Sequence, residues 1–387
     1  MTLNQLNKYL LTLFCLLISC ACISQGLVYY KSSDLLKILK GKDKLVDLVL
    51  DNQEKYHLQI NFTRIDDSNN KSVLHDYSIN KDKHYFHPAS LIKLPLAIMS
   101  LELISKFEDE YGIDLNSYLQ SETCSCDYNT DKYVNNKSNP NLDILFREML
   151  IMSNNDAYNF FFNLTGPTYF NNRMKEIFAE NIILRNRFYT GCTFQGAKEH
   201  GGLYFQKNNS TYKYKIGCIK DTLTSNNQTI YLNTPNSKTT NVVSLYSIHK
   251  LMIELFYPKS FNPSFNLLMS NKHLDFLKNT LSSYPNSIPE YKNIPNHYHK
   301  YLMPTTFLNN TNKVKVYSKN GNAGGYISDV MFLDDEDNRV KYFLSVSLLN
   351  YKQKSYYKRR VTYTSPGIDV FRKISKILYD YAKNENP

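Results

Sequence analysis

The stretch Phe86-His87-Pro88-Ala89-Ser90-Leu91-Ile92-Lys93-Leu94-Pro95 places a serine and a lysine three residues apart, at the start of the strongly apolar run from Ser90 to Ile104. That run predicts a buried helix, and residues i and i+3 of a helix are neighbours, with Cβ atoms about 5–6 Å apart. A serine hydroxyl is a poor nucleophile, but a lysine amine can act as its base if burial or a nearby cation lowers the lysine pKa. The N–H groups left free at a helix start can stabilise an oxyanion. The stretch therefore predicts a nucleophile, Ser90, with Lys93 as its base.

The S-x-x-K spacing alone is common, because it recurs at Ser210, Ser247 and Ser355. Ser247 lies within a predicted helix, where its own backbone N–H is already used, and the other two serines lie in polar stretches rich in Tyr and Lys. Only Ser90 follows a predicted hairpin, formed by strands at 56–64 and near 72–79, and precedes a long apolar helix. Its context therefore distinguishes Ser90 from the other three.

The pattern on either side of this helix predicts the fold. Alternating apolar residues predict strands at 56–64, near 72–79, and at 313–318, 326–333 and 341–349. Apolar residues at helical spacing predict helices at 33–50, 90–104, 141–151, 156–164, 167–179, 242–256, 273–281 and 368–382. Strands from both chain ends can join one antiparallel sheet flanked by the terminal helices, beside an all-helical lobe. We expect this α/β (α+β) fold to have its sheet part at about 33–89 and 312–384 and its helical lobe at about 90–311. The polar stretch from 185 to 240 is long for a structureless loop, so we expect local hairpins or a functional loop there.

Two further motifs carry polar groups that suit the same chemistry. Ser153-Asn154-Asn155 links two predicted helices, where a short loop can face a cleft. The Ser153 hydroxyl can pass a proton to a leaving nitrogen, and an Asn amide can orient both the lysine and a substrate carbonyl. The stretch from Lys319 to Gly325 (KNGNAGG) leads into an apolar strand. Its lysine can bind a substrate carboxylate, its glycines permit close backbone approach, and the N–H of Asn322 can be a second oxyanion donor.

The three motifs, in this order, resemble those of the serine β-lactamase and penicillin-binding-protein superfamily, and most closely those of its class A β-lactamase type. The resemblance spans about residues 33 to 384. It implies the fold described above, with the active site between the sheet and the helical lobe, and no cofactor or metal. It also implies the following roles: Ser90 is the acylated nucleophile, Lys93 its base and Ser153 the proton donor to the leaving nitrogen; Asn155, Lys319, Asn320, Gly321 and Asn322 bind substrate; and the N–H groups of Ser90 and Asn322 form the oxyanion hole. We expect the Ser90 hydroxyl within hydrogen-bond reach of Lys93, and Lys319 in the same cleft.

The chain departs from the family pattern at three positions. Asn154 replaces Asp, and Asn320 replaces a Thr whose hydroxyl usually helps to bind the substrate carboxylate. In the stretch from Leu184 to Thr190, Tyr189 falls where class A enzymes carry the Glu that activates the deacylating water. A tyrosine with a pKa near 10 is mostly protonated at neutral pH and is a poor base. Glu199 follows ten residues later, either as a substitute or as a solvated loop carboxylate. The sequence thus supports acylation but not fast hydrolysis.

The N-terminus has the pattern of a secretory signal. Lys8 precedes a stretch of about fourteen apolar residues, too short for the ~20 that a bilayer requires. Its end, Leu17-Ile18-Ser19-Cys20, resembles a bacterial lipobox, in which the Cys is lipidated. We therefore expect a signal peptide at 1–19, a linker at 20–32, and an exported lipoprotein anchored in the cell envelope through Cys20; the alternative is an ordinary signal with an incidental Cys.

Composition and charge exclude several other classes. Hydrophobic residues make up 42% of the 387 residues, which is enough for a core, and 13 Gly and 13 Pro exclude collagen-like chains. The net charge of +11 comes from scattered residues without a nucleic-acid motif, so we expect a solvated surface. Neither the C-x-C at Cys124 nor the pair His297 and His299 predicts a metal site. Cys192 and Cys218 lie in one polar insertion and could form a disulfide.

Three functional interpretations remain open at this point. The first is a serine hydrolase that opens β-lactam amides or related D-alanyl amides through Ser90, with slow deacylation. The second is a D,D-peptidase or transpeptidase acting on cell-wall peptides. The third is a ligand-binding lipoprotein without turnover; a pure binder, however, has no chemical need for Ser90, Lys93, Ser153 and Lys319 together.

Overall fold

A six-stranded sheet joins the two ends of the chain. The order of its strands is β1 (Gly26–Tyr29), β3 (Lys71–Ile79), β2 (Gln59–Ser68), β13 (Val340–Leu349), β12 (Tyr326–Asp335) and β11 (Lys315–Ala323). The central pair, β2 and β13, is antiparallel, with Ser345 opposite Asn61 and Phe343 opposite Thr63. All neighbours are antiparallel except β1 and β3, which run parallel. Helices flank the sheet on both faces. The predicted fold class is confirmed.

The computed structural model describes residues 26–68, 71–121, 140–178, 181–188, 199–200, 203–207, 210–215, 219–220, 240–308, 313–350 and 367–385. The helices are α1 (Ser32–Leu39), α2 (Lys44–Asp51), α3 (Lys93–Tyr111), α4 (Leu142–Leu150), α5 (Asn155–Thr165), α6 (Pro167–Phe178), α7 (Leu245–Phe256), α8 (Asn271–Ser282) and α9 (Gly367–Glu385). The strands are β1 (Gly26–Tyr29), β2 (Gln59–Ser68), β3 (Lys71–Ile79), β4 (Tyr118–Ser121), β5 (Ile182–Ile183), β6 (Glu199–His200), β7 (Leu203–Lys207), β8 (Ser210–Lys215), β9 (Ile219–Lys220), β10 (Val242–Val243), β11 (Lys315–Ala323), β12 (Tyr326–Asp335) and β13 (Val340–Leu349).

Two apolar cores lie on opposite faces of the sheet. One is formed with α1, α2 and α9 and includes Leu35, Phe62 and Phe371. The other surrounds α3, which is buried from Lys93 to Ser105. There, Phe146 of α4 stacks on Phe161 of α5, with ring centroids 4.0 Å apart. The apolar run after Ser90 is therefore the central helix of the second core.

Two segments near the N-terminus differ from the sequence prediction. The predicted helix 33–50 is two helices, because Gly41 adopts a φ of +76° and Asp43 then starts a new helix by accepting hydrogen bonds from the N–H groups of Leu45 and Val46. Within the predicted linker 20–32, β1 pairs with β3 at the edge of the sheet. Residues 1–25, and with them Cys20 and the expected signal peptide, lie outside the described residues.

The polar stretch from 185 to 240 contains a β-hairpin. Strands β7 and β8 pair with each other, and β7 also pairs with β4, giving a second, three-stranded sheet. Phe205 is buried and contacts Phe107 of α3 edge to face, at a centroid distance of 5.6 Å. Within the described ranges, no helix combines the length and the hydropathy that crossing a membrane requires.

Candidate active site

A short 3₁₀ turn, Ala89–Ile92, presents Ser90 at the start of α3. Leu91 and Ile92 are fully buried and anchor the turn, whereas Ser90 is partly exposed. The Ala89 backbone has a φ of +46°, and its N–H donates to Nδ1 of His87. Strand β11 runs directly against this turn, since a Cβ at Gly321 would collide with the carbonyl oxygen of Pro88. The glycine thus permits the close approach that its motif predicts.

Lys93 is fully buried one turn after Ser90. Its Nζ donates to the backbone carbonyl of Ser153 and to Oδ1 of Asn155 at 2.7 Å, and it lies 3.4 Å from Oγ of Ser153. Burial, reinforced by the positive charge of Lys319, holds the Lys93 pKa well below its usual range, although Asp156 opposes the shift. A neutral amine at this position can accept a proton.

The expected hydrogen bond between Ser90 and Lys93 is not made in this geometry. In the part of the chain that the structure describes, the hydrogen bonds of Lys93 go to Ser153 and Asn155. The Lys93 amine therefore lies against the loop that carries Ser153. Hydrogen bonds between a nucleophile and its base are often long in ligand-free enzymes and tighten only when substrate binds.

Ser153 joins the two lysines. Its Oγ accepts from Nζ of Lys319 at 3.0 Å, and its backbone has a φ of +58°. The next residue, Asn154, starts α5 by accepting from the N–H groups of Asp156 and Ala157 at 2.8 and 3.1 Å. Replacement of Asp by Asn at this position therefore keeps the capping oxygen that fixes the loop.

Lys319 and Asn320 are both buried on β11. Burial lowers the Lys319 pKa to about 7, although the carboxylate of Asp329 opposes the shift. Nζ of Lys319 also donates to the carbonyl oxygen and to Oδ1 of Asn320, at 3.1 and 3.3 Å. Asn322 is exposed near the end of the strand. Among the predicted site residues, the structure thus brings Lys93, Ser153, Asn155, Lys319 and Asn320 into one hydrogen-bonded group, with Gly321 against the turn that carries Ser90.

Three residues beside this group were not predicted as site residues. Asp329 is fully buried, accepts from the N–H of Leu302 at 3.0 Å, and has its pKa raised to about 7 by burial. Lys300 is buried and donates to two backbone carbonyls, and burial lowers its pKa to about 7. His299 lies 3.3 Å from the Asn320 amide nitrogen. A carboxylate in the middle of the predicted strand 326–333 is the signal that could have identified Asp329.

The loop that follows α6 places an aromatic ring beside Lys93. The Phe188 backbone exchanges hydrogen bonds with the Asn159 side chain, at 3.1 and 3.3 Å. The Phe188 ring lies 4.9 Å from Nζ of Lys93 and 4.3 Å from the ring of Tyr158. Tyr189 lies outside the described residues, and of Glu199 only the backbone, in β6, is described.

No cluster of three or more His, Cys, Asp or Glu side chains that could bind a metal occurs within the described ranges. The cysteines at 124, 126, 192 and 218 all lie outside those ranges.

A model of the beta-lactamase enzyme family matches residues 42–382, which is most of the chain. The chain belongs to the beta-lactamase enzyme family. This membership agrees with the resemblance of the three motifs to those of the serine β-lactamase and penicillin-binding-protein superfamily. No curated protein matches it in sequence.

Solved structures of PBP-A and of class A beta-lactamases share the fold at low sequence identity. A mutant of PBP-A, in an acyl-enzyme complex with penicillin G, is 15% identical with a TM-score of 0.52, over 92% of this chain and 98% of that chain. A representative class A beta-lactamase from Bacteroides cellulosilyticus is 14% identical with a TM-score of 0.50, over 88% of this chain and 98% of that chain. A variant of the last common ancestor of the class A enzymes of Gram-negative bacteria is 11% identical with a TM-score of 0.52, over 89% and 100%. At these identities the likeness establishes the fold alone.

Proposed function

We propose that the protein is a serine acyl-enzyme that opens β-lactam amides, or related D-alanyl amides, through Ser90 and releases the acyl group slowly. The observation that carries the proposal is the continuous hydrogen-bonded group of Lys93, Ser153 and Lys319 beside the exposed face of the Ser90 turn. A binding protein would gain nothing from two buried lysines that converge on one serine hydroxyl, since buried amines are costly to maintain. Such an arrangement serves proton transfer.

In the proposed acylation, Oγ of Ser90 attacks the amide carbonyl and its proton passes to neutral Lys93. The N–H groups of Ser90 and Asn322 stabilise the oxyanion. The carbon–nitrogen bond then breaks, and the leaving nitrogen takes a proton from Ser153. Lys93 returns a proton to Ser153 across the 3.4 Å that separates them. The products are an ester on Ser90 and a neutral amine, and Lys319 binds the substrate carboxylate throughout.

Slow release is proposed because Tyr189 stands where class A enzymes carry the Glu that activates the deacylating water. Its neighbour Phe188 places an aromatic ring 4.9 Å from Nζ of Lys93. A ring cannot activate water, and general-base help is typically worth ~10²–10⁴-fold in rate. The same feature favours a second candidate, a D,D-transpeptidase, in which an amine of a cell-wall peptide rather than water accepts the acyl group. Lipidation at Cys20 and location in the cell envelope remain part of the proposal.

Incubation with a fluorescent penicillin, followed by gel analysis and a turnover assay, tests the proposal. We expect one equivalent of label on Ser90, then slow steady turnover, and no label in Ser90→Ala. Ser210→Ala is the matched control, because Ser210 has the same S-x-x-K spacing and is exposed on β8. A D-amino acid amine that accelerates label release would favour the transpeptidase. Binding of penicillin without covalent label would support the binding protein instead, and rapid multiple turnover would contradict slow release.

A further inference from the structure

The hydrogen-bonded group continues past Lys319 to a histidine. Oδ1 of Asn320 accepts from Lys319 at 3.3 Å, and Nδ2 of Asn320 lies 3.3 Å from Nδ1 of His299. His299 also bonds to the backbone of Met152, next to Ser153. Asn320 is only 3% exposed, so its amide lies between two fixed partners rather than in solvent.

The two partners determine which way the amide points. An ammonium group can only donate, so Lys319 requires the oxygen of the Asn320 amide on its side. The amide nitrogen then faces His299, and Nδ1 of His299 must be the acceptor. Burial, reinforced by the positive charge of Lys319, lowers the His299 pKa to about 3. The ring is therefore neutral near pH 7 and can fill this role.

Substrate binding changes which hydrogen bonds fix the orientation of the Asn320 amide. A carboxylate bound at Lys319 competes with Oδ1 of Asn320 for the ammonium hydrogens. The acceptor nitrogen of His299 then becomes the main constraint on the orientation of the amide. Nδ2 has two hydrogens. One is directed at His299, and the other faces Tyr301, whose pKa is raised by burial, a shift that the Asn320 amide opposes. A substrate carboxylate accepts more strongly than a neutral phenol and would take this second hydrogen from Tyr301. In the opposite orientation, the amide oxygen would face the incoming anion and repel it.

We propose that His299 is a positioning residue for the substrate carboxylate. By accepting from Asn320, it keeps the second amide hydrogen of Asn320 available to the carboxylate that Lys319 binds. The pair would thus replace the hydroxyl that is missing at position 320, and it would select acyl donors that carry an anionic group. This inference rests on the proposed acylation of Ser90 for its kinetic readout, but not for its binding readout.

The kinetic test compares acylation by penicillin G with acylation by its uncharged methyl ester. We expect His299→Ala to lower the second-order acylation rate constant for penicillin G roughly 10-fold, as for loss of one hydrogen bond to a charged group, and to leave the ester within about 2-fold. His299→Gln, whose amide oxygen can accept, should restore most of the rate. His297→Ala, in the same loop, is the matched control and should change neither rate.

A double-mutant cycle separates positioning from general damage. A threonine hydroxyl rotates freely and needs no partner to orient it, so His299→Ala should have little further effect in an Asn320→Thr background. An equal loss for both substrates, or the same loss in the Asn320→Thr background, would overturn the inference.

Equilibrium binding distinguishes failure of the inference from failure of the proposed function. In a Ser90→Ala protein, calorimetry with penicillin G should show weaker binding when His299→Ala is added, with no such change for the methyl ester. If the unmodified chain is never acylated, the proposed function fails while this measurement still decides the role of His299. Unchanged penicillin G affinity would refute that role.

Discussion

One hydroxyl, that of Ser153, lies between two lysines whose roles in the proposed acylation require opposite protonation states. Lys93 must be neutral to take a proton from Ser90, whereas Lys319 must be charged to bind a carboxylate. Burial lowers both pKa values, and the Asp329 carboxylate, which lies on β12 at the position opposite Asn320, limits the fall at Lys319. The balance between the two amines therefore depends on a residue that need not touch the substrate.

The acylation rate should give a bell-shaped pH profile for this reason. Its acid limb reports deprotonation of Lys93, and its alkaline limb reports loss of the proton from Lys319, whose pKa is about 7. Asp329→Asn removes the negative charge that raises the Lys319 pKa, so the alkaline limb should move to lower pH. Stopped-flow acylation between pH 5 and 10 measures both limbs.

The control for this profile is Asp334→Asn, which removes a carboxylate from the same strand beside Lys315 and Lys341 rather than beside Lys319. Its alkaline limb should coincide with that of the unmodified protein. An alkaline limb that stays in place in Asp329→Asn would mean that Lys319 does not control it.

The residues that could be predicted from the sequence are those that lie in motifs with a chemical reason for their spacing. Ser90, Lys93, Ser153 and Lys319 have such spacing, and the structure gathers the last three around one hydroxyl. His299 is not part of such a motif, because its partner Asn320 is 21 residues away and strand β11 begins between them. Its position depends on tertiary packing, which local patterns do not encode.

At the scale of elements, the site depends on how closely β11 approaches the turn of Ser90. In Gly321→Ala, the new methyl group would collide with the Pro88 carbonyl and crowd the side chain of Ser328. The strand and the turn must then separate, and displacement of a reacting group by about 1 Å can cost ~10²-fold in rate. We expect a loss of that order in acylation by penicillin G, with the fold retained by circular dichroism.

Gly26→Ala is the matched substitution for this prediction. The added Cβ would lie 3.5 Å from the Val73 side chain, which is ordinary van der Waals contact. It should leave acylation unchanged. If Gly321→Ala is acylated as fast as Gly26→Ala, the turn and the strand are not coupled as described.

The boundaries of helices and strands could be predicted where the hydrophobic period and the capping or turn residues indicated the same ends. The β2–β3 hairpin and the strands β11 to β13 alternate clearly and were predicted within a few residues. The break between α1 and α2 was missed because the apolar spacing continues across it, although Gly41 and Asp43 are the usual signals for a helix end and a helix start. Strand β1 was missed because four residues are too few to show a period.

At the scale of the whole molecule, a buried ion pair stabilises the packing of α3 against α6. Glu102 of α3 is buried and accepts from Nε and Nη2 of Arg173 on α6, at 2.9 and 3.1 Å, and from the N–H of Leu268 at 2.8 Å. Glu102→Gln leaves the Arg173 charge without its buried counter-ion, which typically costs about 3–5 kcal/mol. Urea unfolding at pH 7 should show a loss of that size in the free energy of unfolding.

Glu110→Gln on the same helix provides the comparison. Glu110 and its partner Lys106 are both exposed, and such surface pairs contribute little. The change should stay within about 0.5 kcal/mol. Equal destabilisation by the two substitutions would contradict the distinction between buried and exposed pairs.

The pairing of β2 with β13 has a consequence for the order in which the molecule can form. Residues 59–65 find their sheet partners at 341–347, so a chain emerging from a ribosome exposes the unpaired edge of β2 until nearly all of it has been synthesised. Ser90 is made early and Lys319 late, and the strand beside Lys319 can join the sheet only through β12 and β13. A nascent chain therefore carries the proposed nucleophile, Ser90, long before it has Lys319, the proposed partner of the substrate carboxylate. A premature stop before β13 would leave an open strand edge prone to aggregation.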